Sequence, residues 1–373
     1  MTGTDQGSLQ LPKELIEASR VAINDVMGVR EGERVLIITN PLNDVLNISR
    51  ALYGSVISVK AVPTLIIQPV KSQLDFANPE VMAAIRTDPE VLISISHEKL
   101  GKDSTAIKES IKVGDNSYDH YFNYLLGEKK SRSFWSPSVT QDIFQRTVPL
   151  DYSSLKDDCA RAKKVLDRGD IIHIEAPSGT DVDIGIKDRE AKSDNGDFRE
   201  PGSGGNLPAG ETFISPELKA SRGRIVFDGS IASDKGIILI QKPIICEVDA
   251  GLVTQIHGGA EAQKLRDTIS RAKETTATFV DQGKLRKEDM EHYITNTQNL
   301  GELGIGLNRK ATIIGNMLED EKVYGTCHIA IGANYDNDAK ALIHLDGLIR
   351  SPTITVIGSN FQEVLMKDGK LVI

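Results

Sequence analysis

Helix-length segments alternate with short apolar runs over the first part of the chain. Residues 11–29 place apolar side chains at helical spacing, and residues 35–38 (Val-Leu-Ile-Ile) form the first apolar run. Two further apolar runs, residues 61–67 and residues 91–95, follow at intervals long enough for a helix. Such runs are typical of strands that are buried on both faces of a parallel sheet. The alternation predicts an α/β domain with an open parallel sheet, to which we assign residues 1–152.

The pattern changes near residues 148–154, after which strand-like segments dominate. One helix-length segment, residues 155–168, precedes residues 171–174 and 181–186, where apolar and polar positions alternate as in half-exposed strands. A glycine-rich stretch, two helical patterns and several more strand-like runs complete the chain. We therefore predict a second domain over residues 153–373, of α+β class with a curved, largely antiparallel sheet.

Length and composition agree with two ordinary globular domains. The 373 residues are 39% hydrophobic and carry a net charge of −9, which argues against a nucleic-acid-binding face because phosphate contacts need a basic surface. The three cysteines lie far apart, which excludes a disulfide scaffold and a cysteine-based zinc site. Residues 1–8 are polar, and no run approaches the ~18 apolar residues of a membrane span. We expect no signal peptide, no membrane partner and a cytoplasmic location.

Two common catalytic signatures are missing from the sequence. No Gly-x-Gly-x-x-Gly follows the first predicted strand, and no Gly-x-x-x-x-Gly-Lys-Ser/Thr occurs, so a nucleotide cofactor is not indicated. No Gly-x-Ser-x-Gly occurs either, so nothing presents a serine nucleophile. The candidate chemistry therefore rests on histidines and carboxylates.

The triplet His344-Leu-Asp346 is the clearest candidate for a metal site. Alternate residues of a strand share a face, so His344 and Asp346 are expected to point at the same ion. His328 lies in an earlier strand-like segment, Glu302 lies among glycines, and Glu211 follows a loop bent by glycine and proline. Two histidines and three carboxylates form a nitrogen–oxygen ligand set that suits zinc, manganese, cobalt or iron.

Each of these residues also has an ordinary structural interpretation. A lone His-x-Asp triplet is more often a strand histidine beside a surface acid. Glu302 alone is compatible with a helix-end carboxylate, and Glu211 with a residue that caps a backbone turn. Cys327, next to His328, is more simply a small buried hydrophobe on the opposite face of a strand.

Together, four segments resemble the thermophilic metallo-aminopeptidases of the aminopeptidase T and S type. The segments occur in the same chain order as in that family and are residues 204–213, 300–306, 325–332 and 344–346. The resemblance implies a homodimer with two divalent metal ions (Zn, Co or Mn) that releases N-terminal residues from short peptides, or a related amide hydrolase. In the terms of this family the protein is a hydrolase, a metalloprotease and an aminopeptidase.

The same resemblance assigns roles to individual residues. It makes catalytic residues of Tyr335 and Glu302, and it makes metal ligands of five residues, Glu211, Glu302, His328, His344 and Asp346. Tyr335 matches the active-site tyrosine of the family and is expected to donate a hydrogen bond to a developing oxyanion. One departure is Lys322, which stands where the family is expected to have an asparagine.

A related branch leaves a second function open. The Fe(II)-dependent dihydroxypyridine ring-opening dioxygenases are similar over the same scaffold, including a stretch like Ile256-His-Gly-Gly-Ala-Glu261. They use two histidines and one carboxylate on a single iron, a set that His328, His344 and Asp346 can also form. A third possibility is a non-catalytic relative that serves as a binding or scaffold protein.

The retained glutamates favour the hydrolase. The resemblance places a histidine in the dioxygenases where this chain has Glu302. We therefore expect a small peptide or another small molecule as the substrate.

Overall fold

The computed structural model describes residues 11–72 and 74–373 and divides the chain into two units. The first unit comprises Met1–Tyr152 and Gly196–Ala209, and the second comprises Ser153–Asn195 and Gly210–Ile373. Residues 196–209, which the sequence analysis assigned to the second domain, thus belong to the first unit. The expectation of no signal peptide concerns residues 1–8, which lie outside the described residues.

The strands are numbered along the chain. They are β1 (Arg34–Thr39), β2 (Val62–Ile67), β3 (Val91–Ser96), β4 (Ile111–Val113), β5 (Asn116–Tyr118), β6 (Arg132–Pro137), β7 (Ile171–Glu175), β8 (Asp181–Gly185), β9 (Lys192–Asp194), β10 (Gly204–Asn206), β11 (Glu211–Ile214), β12 (Arg222–Phe227), β13 (Ser230–Ser233), β14 (Gly236–Leu239), β15 (Ile244–Asp249), β16 (Leu252–His257), β17 (Leu300–Gly306), β18 (Thr326–Gly332), β19 (His344–Arg350), β20 (Thr353–Gly358), β21 (Phe361–Lys367) and β22 (Lys370–Leu371).

The α-helices are α1 (Lys13–Val21), α2 (Asn43–Ser58), α3 (Pro79–Ile85), α4 (Tyr121–Gly127), α5 (Gln141–Thr147), α6 (Tyr152–Leu166), α7 (Ala260–Asp281), α8 (Met290–Asn296) and α9 (Met317–Asp320). A π-helical turn, Ala22–Val26, continues α1, and a 3₁₀ turn, Lys287–Asp289, precedes α8. Over the part of the chain that the structure describes, no helix combines the length and the apolar character that a membrane crossing needs.

A parallel five-stranded sheet forms the centre of the first unit, in the order β10-β6-β3-β1-β2. All six residues of β3 are buried, as expected for a strand covered on both faces. β10 pairs with β6 at the edge of this sheet. The pairing needs glycine at position 204, because a Cβ there would lie only 2.6 Å from the carbonyl oxygen of Ser133. The predicted α/β fold with a parallel sheet is confirmed.

The second unit contains two antiparallel sheets. The seven-stranded sheet has the order β14-β13-β19-β18-β17-β11-β9, and the eight-stranded sheet has the order β16-β15-β12-β8-β7-β20-β21-β22. Every residue of β17 and of β18 is buried, so these two strands lie inside the unit. The prediction of an α+β second part with a largely antiparallel sheet is confirmed.

Candidate metal centre

The register of the seven-stranded sheet places the predicted ligands on one face. Ala330 of β18 pairs with Glu302 of β17 on one side and with Asp346 of β19 on the other. Residues that pair directly share a face, and so do residues two apart in a strand. His328 lies two residues before Ala330, and His344 lies two residues before Asp346.

Glu211 joins the same face from the neighbouring strand. It is the first residue of β11, where it pairs with Gly306 of β17, four residues after Glu302. The structure therefore brings together all five side chains that the sequence analysis named as ligands, although they come from four strands.

The side chains form two overlapping groups that share Glu302. Glu211, Glu302 and His328 make one group, Glu302, His344 and Asp346 make the other, and within each group the ligand atoms lie within 4.8 Å of one another. Glu302 Oε1 lies 3.2 Å from His328 Nε2, and Glu302 Oε2 lies 3.3 Å from His344 Nε2. His344 Nε2 also lies 3.1 Å from Asp346 Oδ1. Each group has the size and the donor atoms of a metal site.

Several polar atoms of these groups are buried without a hydrogen bond. Glu211 Oε2, Glu302 Oε2 and Asp346 Oδ1 accept none from the described residues, and His328 Nδ1 makes none either. A buried carboxylate oxygen without a donor is costly, and a cation compensates for it. The donor set and these oxygens therefore fit a divalent metal ion, and the prediction of a metal site agrees with the geometry.

A backbone contact fixes the ring of His344. His344 Nδ1 lies 2.8 Å from the carbonyl oxygen of Ala333. A carbonyl oxygen only accepts, so Nδ1 carries the hydrogen and Nε2 faces Glu302 and Asp346. Histidine ligands of metal ions are commonly oriented by such a contact of the second ring nitrogen.

Opposite charges hold the centre together. Burial raises the pKa of Asp346, but the neighbouring His344 outweighs it and the pKa falls to about 2. Burial lowers the pKa of His328, but the hydrogen bond with Glu302 and the charge of Glu211 raise it to about 9. The carboxylates Asp346 and Glu302 raise the pKa of His344 well above its usual value against the effect of burial. A metal ion held by His344 would have to displace the proton from its Nε2.

Lys322 is a charged residue of the centre whose position the sequence did not predict. Its side chain is fully buried, with Nζ 2.6 Å from Glu211 Oε1 and 2.6 Å from Glu321 Oε1. Burial lowers the pKa of Lys322, but Glu211, Glu321 and Asp194 outweigh it and raise the pKa well above the usual value. The sequence did carry a signal for this residue, since a lysine stands at position 322 where the aminopeptidase family is expected to have an asparagine.

Tyr335 lies beside the ligands in a row of aromatic rings. Its ring centroid is 5.2 Å from that of His344 and 5.3 Å from that of Phe213, and half of the residue is exposed. Arg189 binds Asp336 and Asp338, the residues that follow the tyrosine, at 3.1 and 2.7 Å. The sequence analysis missed Phe213, which lies two residues after Glu211 and so on the ligand face of the sheet.

Comparison with known proteins points to one family. A sequence model of the NicX family, described as 2,5-dihydroxypyridine 5,6-dioxygenase, matches residues 138–371, which is more than half of the chain. The 2,5-dihydroxypyridine 5,6-dioxygenase of Pseudomonas putida KT2440 is 29% identical over 135 residues, 34% of this chain and 35% of that protein. The alignment thus spans about a third of the length of this curated relative.

Two solved structures share the fold over nearly the whole chain. The structure of the 2,5-dihydroxypyridine dioxygenase from Pseudomonas putida KT2440 gives a TM-score of 0.70 at 16% identity and covers 96% of both chains. AmpT from Thermus thermophilus gives a TM-score of 0.65 at 15% identity and covers 97% of this chain and 99% of AmpT. At these identities the likeness shows the fold alone.

The predicted aminopeptidase function is wrong, and with it the description as a hydrolase and metalloprotease. The family model and the curated relative are those of a dioxygenase, whereas the likeness to AmpT is one of fold. The fold does not separate the two functions, because the dioxygenase and AmpT structures both share it with this chain. The roles expected for Tyr335 and Glu302 in peptide hydrolysis depended on that function and are not retained.

Proposed function

The chain belongs to the NicX family of 2,5-dihydroxypyridine 5,6-dioxygenases, and we propose that it is a ring-cleaving dioxygenase with one Fe(II) ion. Its proposed substrate is a dihydroxylated aromatic ring of the pyridine class. The observation that carries the proposal is the group formed by Glu302, His344 and Asp346, in which two carboxylate oxygens are buried without a hydrogen bond.

Glu302, His344 and Asp346 would hold the ion, and His328 supports them through Glu302. This set has one histidine and two carboxylates, whose nitrogen and oxygen donors suit a divalent ion such as iron. When bound, the iron supplies the electron chemistry with dioxygen that the protein side chains lack. The two zinc, cobalt or manganese ions expected for the hydrolase are not part of this proposal.

The protein's own groups orient that centre. His344 keeps Nε2 toward the ion because its Nδ1–H donates to the carbonyl of Ala333. His328 Nε2 donates to Glu302 Oε1 at 3.2 Å, which fixes one carboxylate oxygen and leaves Oε2 for the ion. Orientation of this kind commonly changes metal affinity or activity by 10- to 100-fold.

Tyr335 and Phe213 provide an aromatic surface next to the ligands. Flat rings bind other rings by offset or edge-to-face contacts at centroid distances of about 4.5–7 Å. The half-exposed Tyr335 thus presents a face to an aromatic substrate while its ring contacts that of His344. This placement supports an aromatic substrate rather than an aliphatic one.

Oxygen uptake by the purified protein tests the proposal. After anaerobic loading with Fe(II), we expect 2,5-dihydroxypyridine to consume about one dioxygen per ring and to give a ring-opened product by mass spectrometry. His344→Ala should lose this activity, whereas His292→Ala, an exposed histidine of α8, should retain it. Folded, iron-loaded protein that consumes no dioxygen with any dihydroxypyridine isomer contradicts the proposal.

A further inference from the structure

We infer that Lys322 limits this centre to one metal ion, because its ammonium group takes the place of a second divalent cation beside Glu211. The inference rests on the proposed function in one respect, namely that Glu302, His344 and Asp346 hold the proposed Fe(II) ion. It adds a determinant of metal content that lies outside the proposed ligands.

The ligand geometry alone would allow two ions. Glu302 belongs to both groups, and a carboxylate shared between two sets of ligands is a common feature of two-metal sites. The second group contains Glu211 and His328, whose Nε2 lies 3.6 Å from Glu211 Oε2. Something other than the number of ligands must therefore decide the metal content.

Lys322 occupies the Glu211 side of the centre. Its Nζ lies 2.6 Å from Glu211 Oε1, 2.6 Å from Glu321 Oε1 and 3.8 Å from Asp194 Oδ2. Three carboxylates therefore surround one ammonium group whose side chain is fully buried. One of the two carboxylate oxygens of Glu211 is therefore already paired with this positive charge.

The backbone holds the lysine in that place. Asn316 caps α9 by accepting a hydrogen bond from the N–H of Leu318, and the N–H of Lys322 donates to the carbonyl of Glu319 at 3.0 Å. The carbonyl of Lys322 in turn accepts from the N–H of Asn308 at 2.8 Å. These bonds fix the backbone of Lys322, and the contacts of the buried Nζ with Glu211 and Glu321 hold the ammonium group itself in place.

Electrostatic repulsion then acts against a second ion. The two oxygens of a carboxylate are close together, so a divalent ion on Glu211 Oε2 would lie within a few ångströms of Nζ. At about 5 Å and an effective permittivity of about 20, repulsion between these charges weakens binding by at least ~100-fold. The group of Glu302, His344 and Asp346 is left as the one that binds its ion tightly.

Metal content of two Lys322 variants tests the inference. Lys322→Gln removes the charge but keeps a donor for Glu211, and Lys322→Arg keeps the charge. We expect one Mn(II) per chain by mass spectrometry for the wild type and for Lys322→Arg, and two for Lys322→Gln after desalting. The second ion of Lys322→Gln should bind at least 100-fold more tightly than any second ion of the wild type. A folded Lys322→Gln protein that holds only one ion overturns the inference.

Electron paramagnetic resonance gives a second readout that does not depend on a variant that folds. Wild-type protein with excess Mn(II) should show the six-line spectrum of an isolated ion, whereas the multiline spectrum of a coupled pair would overturn the inference. Lys322→Gln should give the coupled spectrum. Wild-type protein with one ion but no oxygen uptake leaves this inference standing and contradicts only the proposed dioxygenase function.

Discussion

Substitution of Gly304 by alanine should displace His328 and weaken metal binding. Gly304 of β17 pairs with His328 of β18, and a Cβ on Gly304 would lie 2.1 Å from both Nε2 and Cε1 of the ring. Ordinary contacts between such atoms are about 3.5 Å or longer, so the ring must move by about 1.4 Å. The hydrogen bond of 3.2 Å from His328 to Glu302 is then lost.

The magnitude follows from these contacts. Overpacking of a buried site costs typically ~1–3 kcal/mol of the free energy of unfolding. Loss of the group that orients a metal ligand lowers metal affinity by about 10- to 100-fold. We therefore expect Gly304→Ala to remain folded but to bind Fe(II) at least tenfold more weakly than the wild type.

A competition titration with a chromogenic chelator, under anaerobic conditions, measures the affinity, and urea unfolding measures the stability. Gly54→Ala is a matched control, because nothing lies within 4 Å of a Cβ at this position of α2. Alanine at this helical position should stabilise the protein by about 0.5–1 kcal/mol without changing metal binding. Wild-type affinity and stability in Gly304→Ala would refute the placement of the His328 ring.

Three further predictions concern stability and substrate binding. Burial raises the pKa of Asp103, but hydrogen bonds from Arg86 and the backbone lower it below its usual value. The carboxylate therefore adds to the free energy of unfolding above about pH 4, and this contribution is lost as the pH falls through the pKa of the folded state. Asp103→Asn should therefore lower the free energy of unfolding by about 1–3 kcal/mol at pH 7, and a difference that persists undiminished at pH 2.5 would contradict this. Tyr335→Leu should raise the KM for an aromatic substrate several-fold with less effect on kcat, and steady-state oxygen uptake that shows an unchanged KM would exclude the stacking role. Removal of the metal by a chelator should lower Tm in differential scanning calorimetry, since a ligand at 100 times its Kd adds about 2.7 kcal/mol to the free energy of unfolding. The chelator should leave the Tm of His344→Ala unchanged, because this variant lacks a metal ligand.

Local pattern was sufficient to predict the two kinds of sheet and to single out the histidines and carboxylates that the structure brings onto one face. The alternation of His344 and Asp346 indicated a common face, and the structure places Glu302 and His328 on that face through direct strand pairing. The common face of His344 and Asp346 follows from the two-residue period of a strand, which the sequence shows directly, whereas the pairing of the strands became visible only in the structure. The parallel and antiparallel sheets followed from the same kind of pattern.

Contacts between distant segments explain what the sequence did not predict. Lys322 meets Glu211 across more than a hundred residues of chain, and no local pattern reports such an ion pair. Phe213 gains its significance only beside Tyr335, which lies far away in the sequence. The aminopeptidase was preferred to the dioxygenase alternative because strand motifs indicate where ligands lie and carry little information on what they bind.

β10 lies far after the other strands of its sheet in the sequence, and this has a consequence for biosynthesis. β6 gains its outer neighbour only from Gly204–Asn206, so the N–H of Ser133 has no partner in Ser203 until the ribosome has made both segments. A nascent chain that ends at Tyr152 exposes β6 as an open edge, which is the kind of surface that pairs with other chains. A gene fragment that ends at this codon therefore encodes the first sheet without its edge strand β10.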